Sequence, residues 1–172
     1  MKYPGNKTEK KAEKHSFIIF EQGDSYFLFN KSNSLMIFES SYDKRTEQSQ
    51  VPYDTYVKFY DKLKIDDLVY EIIAPHFKEY KSIYSDLISS FDIVHYSKPD
   101  GKICECSFSY NKIAGIPLKA IEKLESEILA LDLQFTFNES AYEPVIKDAL
   151  WVYFPVYYSA ASMKEKLNKE NK

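Results

Sequence analysis

The stretch from Phe91 to Phe137 constrains this chain more than any other. It reads FDIVHY, SKPDGK, ICECSFSY, NKIAGIP, LKAIEKLESEILAL and DLQFTF in turn. Two runs rich in β-branched and aromatic residues flank Lys98-Pro99-Asp100-Gly101. That tetrapeptide suits a type I turn with glycine in the left-handed position, and so a hairpin with a bulge. After it, Ile121, Leu124, Ile128 and Leu131 recur at helical spacing, with Pro117 tolerated in the first turn. Leu133, Phe135 and Phe137 then alternate with Gln134 and Thr136, as in a half-buried strand. The expected unit is β-β-α-β with one apolar face.

The turn implies a register. Lys98 is expected opposite Lys102, Tyr96 opposite Cys104, His95 opposite Glu105 and Val94 opposite Cys106. On that register Val94, Tyr96, Cys104, Cys106, Phe108 and Tyr110 line the core as one face. His95 lies on the other face with Ile93, Ile103, Glu105, Ser107 and Ser109. On the helix, Lys119, Glu122, Lys123, Ser126 and Glu127 are expected to face water.

The rest of the chain divides by composition. Residues 1–15 carry five lysines and two glutamates with almost nothing apolar, which reads as a disordered leader. Ser16–Glu21, Ser25–Asn30 and Leu35–Glu39 read as a three-strand meander with polar turns between. Ser40–Pro52 is polar and aperiodic, a surface loop. From Tyr53 the period becomes helical through Tyr56, Phe59, Tyr60 and Leu63. Asp66-Asp67 offers a fresh N-cap, Pro75 interrupts the pattern, and a stripe from Phe77 to Ile88 resumes it. Leu150–Ser159 is a final strand. Pro155 inside it removes a ladder donor and predicts a sheet edge. Residues 161–172 read as a charged tail. The whole is expected to be one α+β domain over 16–160, an antiparallel sheet with amphipathic helices packed on it. Residues 16–90 supply the meander and helices, and residues 91–160 a ββαββ unit.

At 172 residues the chain can bury one good core. A net charge of −3, without a basic stripe, argues against a nucleic-acid partner. No run approaches the ~20 apolar residues that span a membrane. No export signal is visible, so the expected site is the cytoplasm, or the periplasm and cell envelope if a signal has been removed.

Candidate chemistry is sparse. Cys104-Glu105-Cys106 would be half a zinc site at best, with two ligands still to find. Two cysteines at this spacing disfavour a mutual disulfide, and core thiols are the plainer reading. His76 and Glu79, with Glu71, could converge on a pocket between sheet and helices; a solvated helix face is the plainer reading. Glycine patterns for phosphate and nucleotide loops are missing, as are nucleophile signatures. No catalytic, cofactor or metal residue is therefore assigned. Trp151, Tyr153, Pro155 and Tyr157 share the last strand, which is apolar on both faces. They are the expected partner-binding residues.

Val94–Tyr110 around Asp100-Gly101-Lys102, the helix Leu118–Leu131, the strand Leu133–Phe137 and the late strand Trp151–Tyr158 resemble the TonB C-terminal domain and secreted domains built like it. The resemblance implies a non-catalytic module whose edge strand pairs with an extended segment of a partner, which is β-augmentation. Asn138–Asp148 lacks the glycine loop of that family, and 16–90 lies outside its pattern, so energy transduction is not implied. The expected function is thus a non-enzymatic module with a protein or peptide partner. A soluble immunity- or inhibitor-type protein, and a small-ligand protein or enzyme with a sheet–helix pocket, remain the alternatives.

Overall fold

The computed structural model describes residues 6–35, 57–59, 61–81, 89–139 and 146–170, with the side chains of Ser89 and Glu170 left aside. Six strands form one antiparallel sheet: β1 (Asn6–Lys11), β2 (Ser16–Gln22), β3 (Ser25–Asn30), β5 (Ser89–Ser97), β6 (Ile103–Asn111) and β8 (Val152–Ser159). Their spatial order is β1-β2-β3-β6-β5-β8. A separate ribbon pairs β4 (Val57–Lys58) with β7 (Thr136–Phe137). Among the described residues there are three α-helices: α1 (Lys62–Ile72), α2 (Leu118–Ala130) and α3 (Ala160–Glu170). The α+β class expected from the sequence is the observed one.

Period-2 alternation splits the sheet into two faces. One carries Phe17, Ile19, Leu28, Phe91, Ile93, Cys106, Phe108, Val156 and Tyr158, all buried in the main core with Ile65, Val69, Ile121, Leu124 and Ile128 of the helices. The other gathers Ile18, Phe29, Tyr96 and Trp151 into a second cluster, with Phe20, Phe27, Val94 and Tyr153 packed against it. Both faces are thus apolar, which explains the aromatic richness of the strands.

Several expectations change. Residues 6–11 are not a solvated leader but the strand β1, paired along its length with β2. All its residues are exposed, so composition alone hides it; the β2 backbone supplies what its side chains do not. Residues 161–170 of the expected tail belong to a helix. Ser159 caps it, its Oγ accepting from Ser162 N at 3.1 Å, and Met163 anchors it fully buried. Asp66 and Asp67 lie inside α1 rather than at its start. Asp66 is held there by Lys62 Nζ at 2.7 Å and by the Tyr158 hydroxyl, which donates at 2.7 Å. Val57–Lys58 is a strand where a helix was expected, and Ser89–Phe91 already belongs to β5. Beyond Leu35 the third strand of the meander, the loop 40–52, the helix start at 53–56 and the stripe over 83–88 lie outside the described residues.

The hairpin turn forms as expected, with Gly101 at φ 85°. Its register does not. Tyr96 faces Glu105 and the next residue, Ser97, faces Ile103, so Cys104 is extruded as a bulge. Beyond it the ladder runs one residue away from the implied pairing, with His95 opposite Cys106 and Val94 opposite Ser107. A one-residue slip exchanges the two faces of a strand. His95 and Ile93 therefore enter the main core, and Val94 and Tyr96 turn to the second face.

Candidate functional site

A row of polar side chains crosses the helix-covered face. Asn30 ends β3, Cys106 lies in β6 and His95 faces it from β5. His95 and Cys106 are fully buried, and Asn30 is 8% exposed. The Asn30 amide is oriented by Ser32, whose N–H and hydroxyl both donate to its Oδ1. Its Nδ2 donates to Glu125 Oε2 of α2 at 2.9 Å and meets His15 Nδ1 at 2.9 Å. His15 Nδ1 also lies 3.8 Å from Glu125 Oε2. Burial raises the Glu125 carboxyl above its ordinary range, against the Asn30 and His15 contacts. Burial also lifts the Cys106 thiol well up, and Glu125 adds to that. Such a thiol is an inert core group at neutral pH.

His95 is the incompletely bonded member. Its Nδ1 meets the Phe154 carbonyl at 3.2 Å, and its Nε2 has no partner. Phe59 packs edge-on at 5.5 Å, with Phe135 and Phe154 beyond it. Burial pushes the imidazole down to about 4; the Phe154 carbonyl works upward and Lys62 downward. Ser97, two residues on, has an equally unpartnered buried hydroxyl.

Two further carboxylates serve as backbone anchors, and sequence reasoning missed both. Glu122, expected in water, is 5% exposed. It accepts from the backbone N–H groups of Glu13, Lys14 and His15, clamping the β1–β2 turn onto α2. Burial acts to raise this carboxyl, but those three donors outweigh it and hold it below the ordinary range. Glu105 accepts from Ser34 N at 2.7 Å and Leu35 N at 2.9 Å, doing the same for the chain after β3. Neither signal is local in sequence.

The expected pocket residues do not converge. Glu71 and Glu79 are exposed, and Glu71 lies 3.6 Å from Lys123. His76 borders an open cleft of about 450 Å³ with Glu13, Lys14, Lys119 and Lys123, a mixed-charge rim. Cys104 is exposed beside a second cleft of about 320 Å³ at the hairpin tip, not in the core as expected, because the bulge turns it out. Burial and Glu105 raise its thiol. Among the described residues no cluster of three or more His, Cys, Asp or Glu could hold a metal ion. No described helix is long and apolar enough to cross a membrane.

The partner-binding candidates separate. Trp151 is 4% exposed, packed edge-on against Tyr96 at 5.3 Å, and so belongs to the second core cluster rather than to an open surface. Tyr153 and Pro155 are half-buried. Tyr157, opposite Asp92, is 64% exposed. Among the described residues β8 pairs with β5 alone, so it ends the sheet as Pro155 predicts.

These features define an α+β protein with a six-stranded antiparallel sheet and helices packed on it, in which the described buried polar groups serve chiefly as internal braces. No family model and no curated protein matches the chain. Among solved structures it is similar to a DUF5043 family protein from Bacteroides uniformis ATCC 8492. The TM-score is 0.60 at 12% identity, covering 89% of this chain and 85% of that one. At that identity the likeness is one of fold.

Proposed function

We propose that the chain is a non-enzymatic interaction module that pairs β8 with an extended segment of a partner protein. The observation that carries this reading is the contrast between the two sheet edges. β1 is lined by exposed Lys7, Lys10 and Lys11, charges of the kind that guard an edge against pairing. β8 has no charged residue from Leu150 to Met163 and displays Tyr157. An added strand would gain ladder hydrogen bonds there, with Tyr153 and Tyr157 contacting its side chains. The resemblance of the C-terminal half to TonB-like domains supports the same reading and an envelope location. In that resemblance the strand Leu133–Phe137 would join the main sheet; here β7 pairs with β4 instead.

The test is selection of linear peptides on the folded protein, followed by amide exchange on the complexes. Pairing predicts slowed exchange along 152–159 and loss of binding in Tyr157→Lys. Peptides that bind Tyr157→Lys equally well, or that protect a different surface, would refute the reading. Fractionation of the native producer tests the envelope location.

A further inference from the structure

The β4–β7 ribbon and the aromatic residues beside it form a small cover over His95, which faces Cys106 across the β5–β6 ladder. Phe59, just after β4, lies on the His95 ring, and Phe135, just before β7, lies 5.3 Å from Phe59. The ribbon itself is two residues a strand, Val57 opposite Phe137 and Lys58 opposite Thr136. It attaches to the hairpin through Phe135 N to Gly101 O at 2.8 Å and Ile103 N to Leu133 O at 3.0 Å. Among the described residues few backbone bonds hold it compared with the six-stranded sheet beneath, and segments of that kind are where local opening is least costly.

Under this cover sits a titratable group with one ring nitrogen unsatisfied. A protonated imidazole needs acceptors at both nitrogens. Nδ1 already has the Phe154 carbonyl, whereas Nε2 is buried without a hydrogen-bond partner. Among the described residues the surrounding elements offer no counter-ion in contact with His95, the Asp66 carboxylate of α1 being bonded to Lys62. The ribbon contributes Phe59 and Phe135, β8 contributes a carbonyl, β6 contributes the Cys106 thiol, and α1 contributes Lys62, whose charge repels. Glu125 of α2 acts on Cys106 and is itself bonded to Asn30.

We propose that the ribbon is a proton-gated cover: protonation of His95 displaces Phe59 and Phe135 locally, letting water reach Nε2 and exposing Cys106, while the six-stranded sheet stays folded. The gate ties the exposure of a buried thiol and its aromatic neighbours to mild acid. No covalent step is involved.

Cys106 accessibility reads the gate. In the full chain carrying Cys104→Ser, labelling by 4,4′-dithiodipyridine is measured from pH 7 to 4.5 and divided by the rate for the urea-unfolded chain at each pH. Corrected reactivity is expected to rise about tenfold per pH unit below about 6, the slope of one proton taken up on opening. The rate should be nearly independent of low urea, since local opening exposes little surface. His95→Gln should flatten the pH profile, and Glu125→Gln should leave its slope in place. Amide exchange of the wild-type chain gives the same answer without a variant: 133–137 and 103–106 should open faster in acid while 17–29 stay protected. Three results overturn the proposal. These are a pH-independent corrected rate, a urea dependence equal to that of global unfolding, and a steep profile retained in folded His95→Gln.

Discussion

His95 faces Cys106 across the β5–β6 ladder, and both are fully buried. That pairing places a neutral imidazole in the main core, and its consequence for stability has a definite sign. The folded group is held near 4, below its ordinary 6.5. The unfolded chain therefore binds a proton that the folded chain refuses at intermediate pH. Stability should be full above about pH 6.5 and fall as the pH drops toward 4, by roughly 3 kcal/mol in total. His76, lowered by partial burial, adds in the same sense. Urea melts at a series of pH values check this, and His95→Gln should remove most of the slope between 6.5 and 4.5.

Glu122 offers a second handle. It accepts three consecutive backbone N–H bonds from residues 107 to 109 positions away. Glu122→Ala removes those acceptors and should cost about 2–3 kcal/mol, since partly buried donors lose their partner. Exchange of the 13–15 amides should rise more than that of β2 itself. The pH sense is that of a depressed carboxylate: its contribution is present above the unfolded value and lost as pH falls through the lower folded one. Unchanged exchange at 13–15 in the variant would show that the clamp is not what holds the turn.

These long-range bonds mark what the sequence shows and what it hides. The hairpin turn was legible because Pro99, Asp100 and Gly101 act within four residues. The register was not, because Cys104 bulges where Gly101 and Ile103 bond to Phe135 and Leu133, some thirty residues on. A single bulge then moved His95 from solvent to core. β1 was hidden for a related reason: a strand with every side chain exposed has no period to read. α3 left a fainter trace, in Ser159 followed by Met163 and Leu167 at helical spacing. The edge position of β8 was legible in Pro155 alone. Trp151 was misplaced because an aromatic on a strand apolar on both faces gives no sign of which face is covered.

Gly101 and Gly23 should respond differently to alanine although both have positive φ. At Gly101 a Cβ would fall 2.5 Å from the Phe135 carbonyl oxygen, which forces the hairpin and the segment before β7 apart. At Gly23 nothing lies within 4 Å, so only the left-handed backbone penalty applies. Gly23→Ala is expected to cost about 1 kcal/mol. Gly101→Ala should exceed it by about 2 kcal/mol, combining that penalty with backbone displacement. Because Phe135 helps cover His95, Gly101→Ala should also raise labelling of Cys106 at neutral pH. Equal costs for the two variants in urea melts would mean that the hairpin tip is not packed against the segment before β7.

Tyr158 ties the sheet to α1, and a double-mutant cycle can isolate that tie. Its hydroxyl donates to Asp66 at 2.7 Å, Lys62 bonds the same carboxylate, and the Lys62 ammonium lies 5.4 Å over the Tyr158 ring. Burial and Asp66 raise the phenol, so it stays protonated and donating through the physiological range. Tyr158→Phe removes the donor while keeping the ring against Phe91 and Tyr70. Asp66 keeps Lys62, so the expected loss is about 1–2 kcal/mol. Asp66→Ala strands the buried hydroxyl and releases Lys62, and should cost about 2–3 kcal/mol. If the bond is the link, the two losses will not add: the double variant should recover about 1 kcal/mol of their sum, as residues in direct contact do. Strict additivity in urea denaturation would instead assign α1 docking to Ile65, Val69 and Ile72 alone.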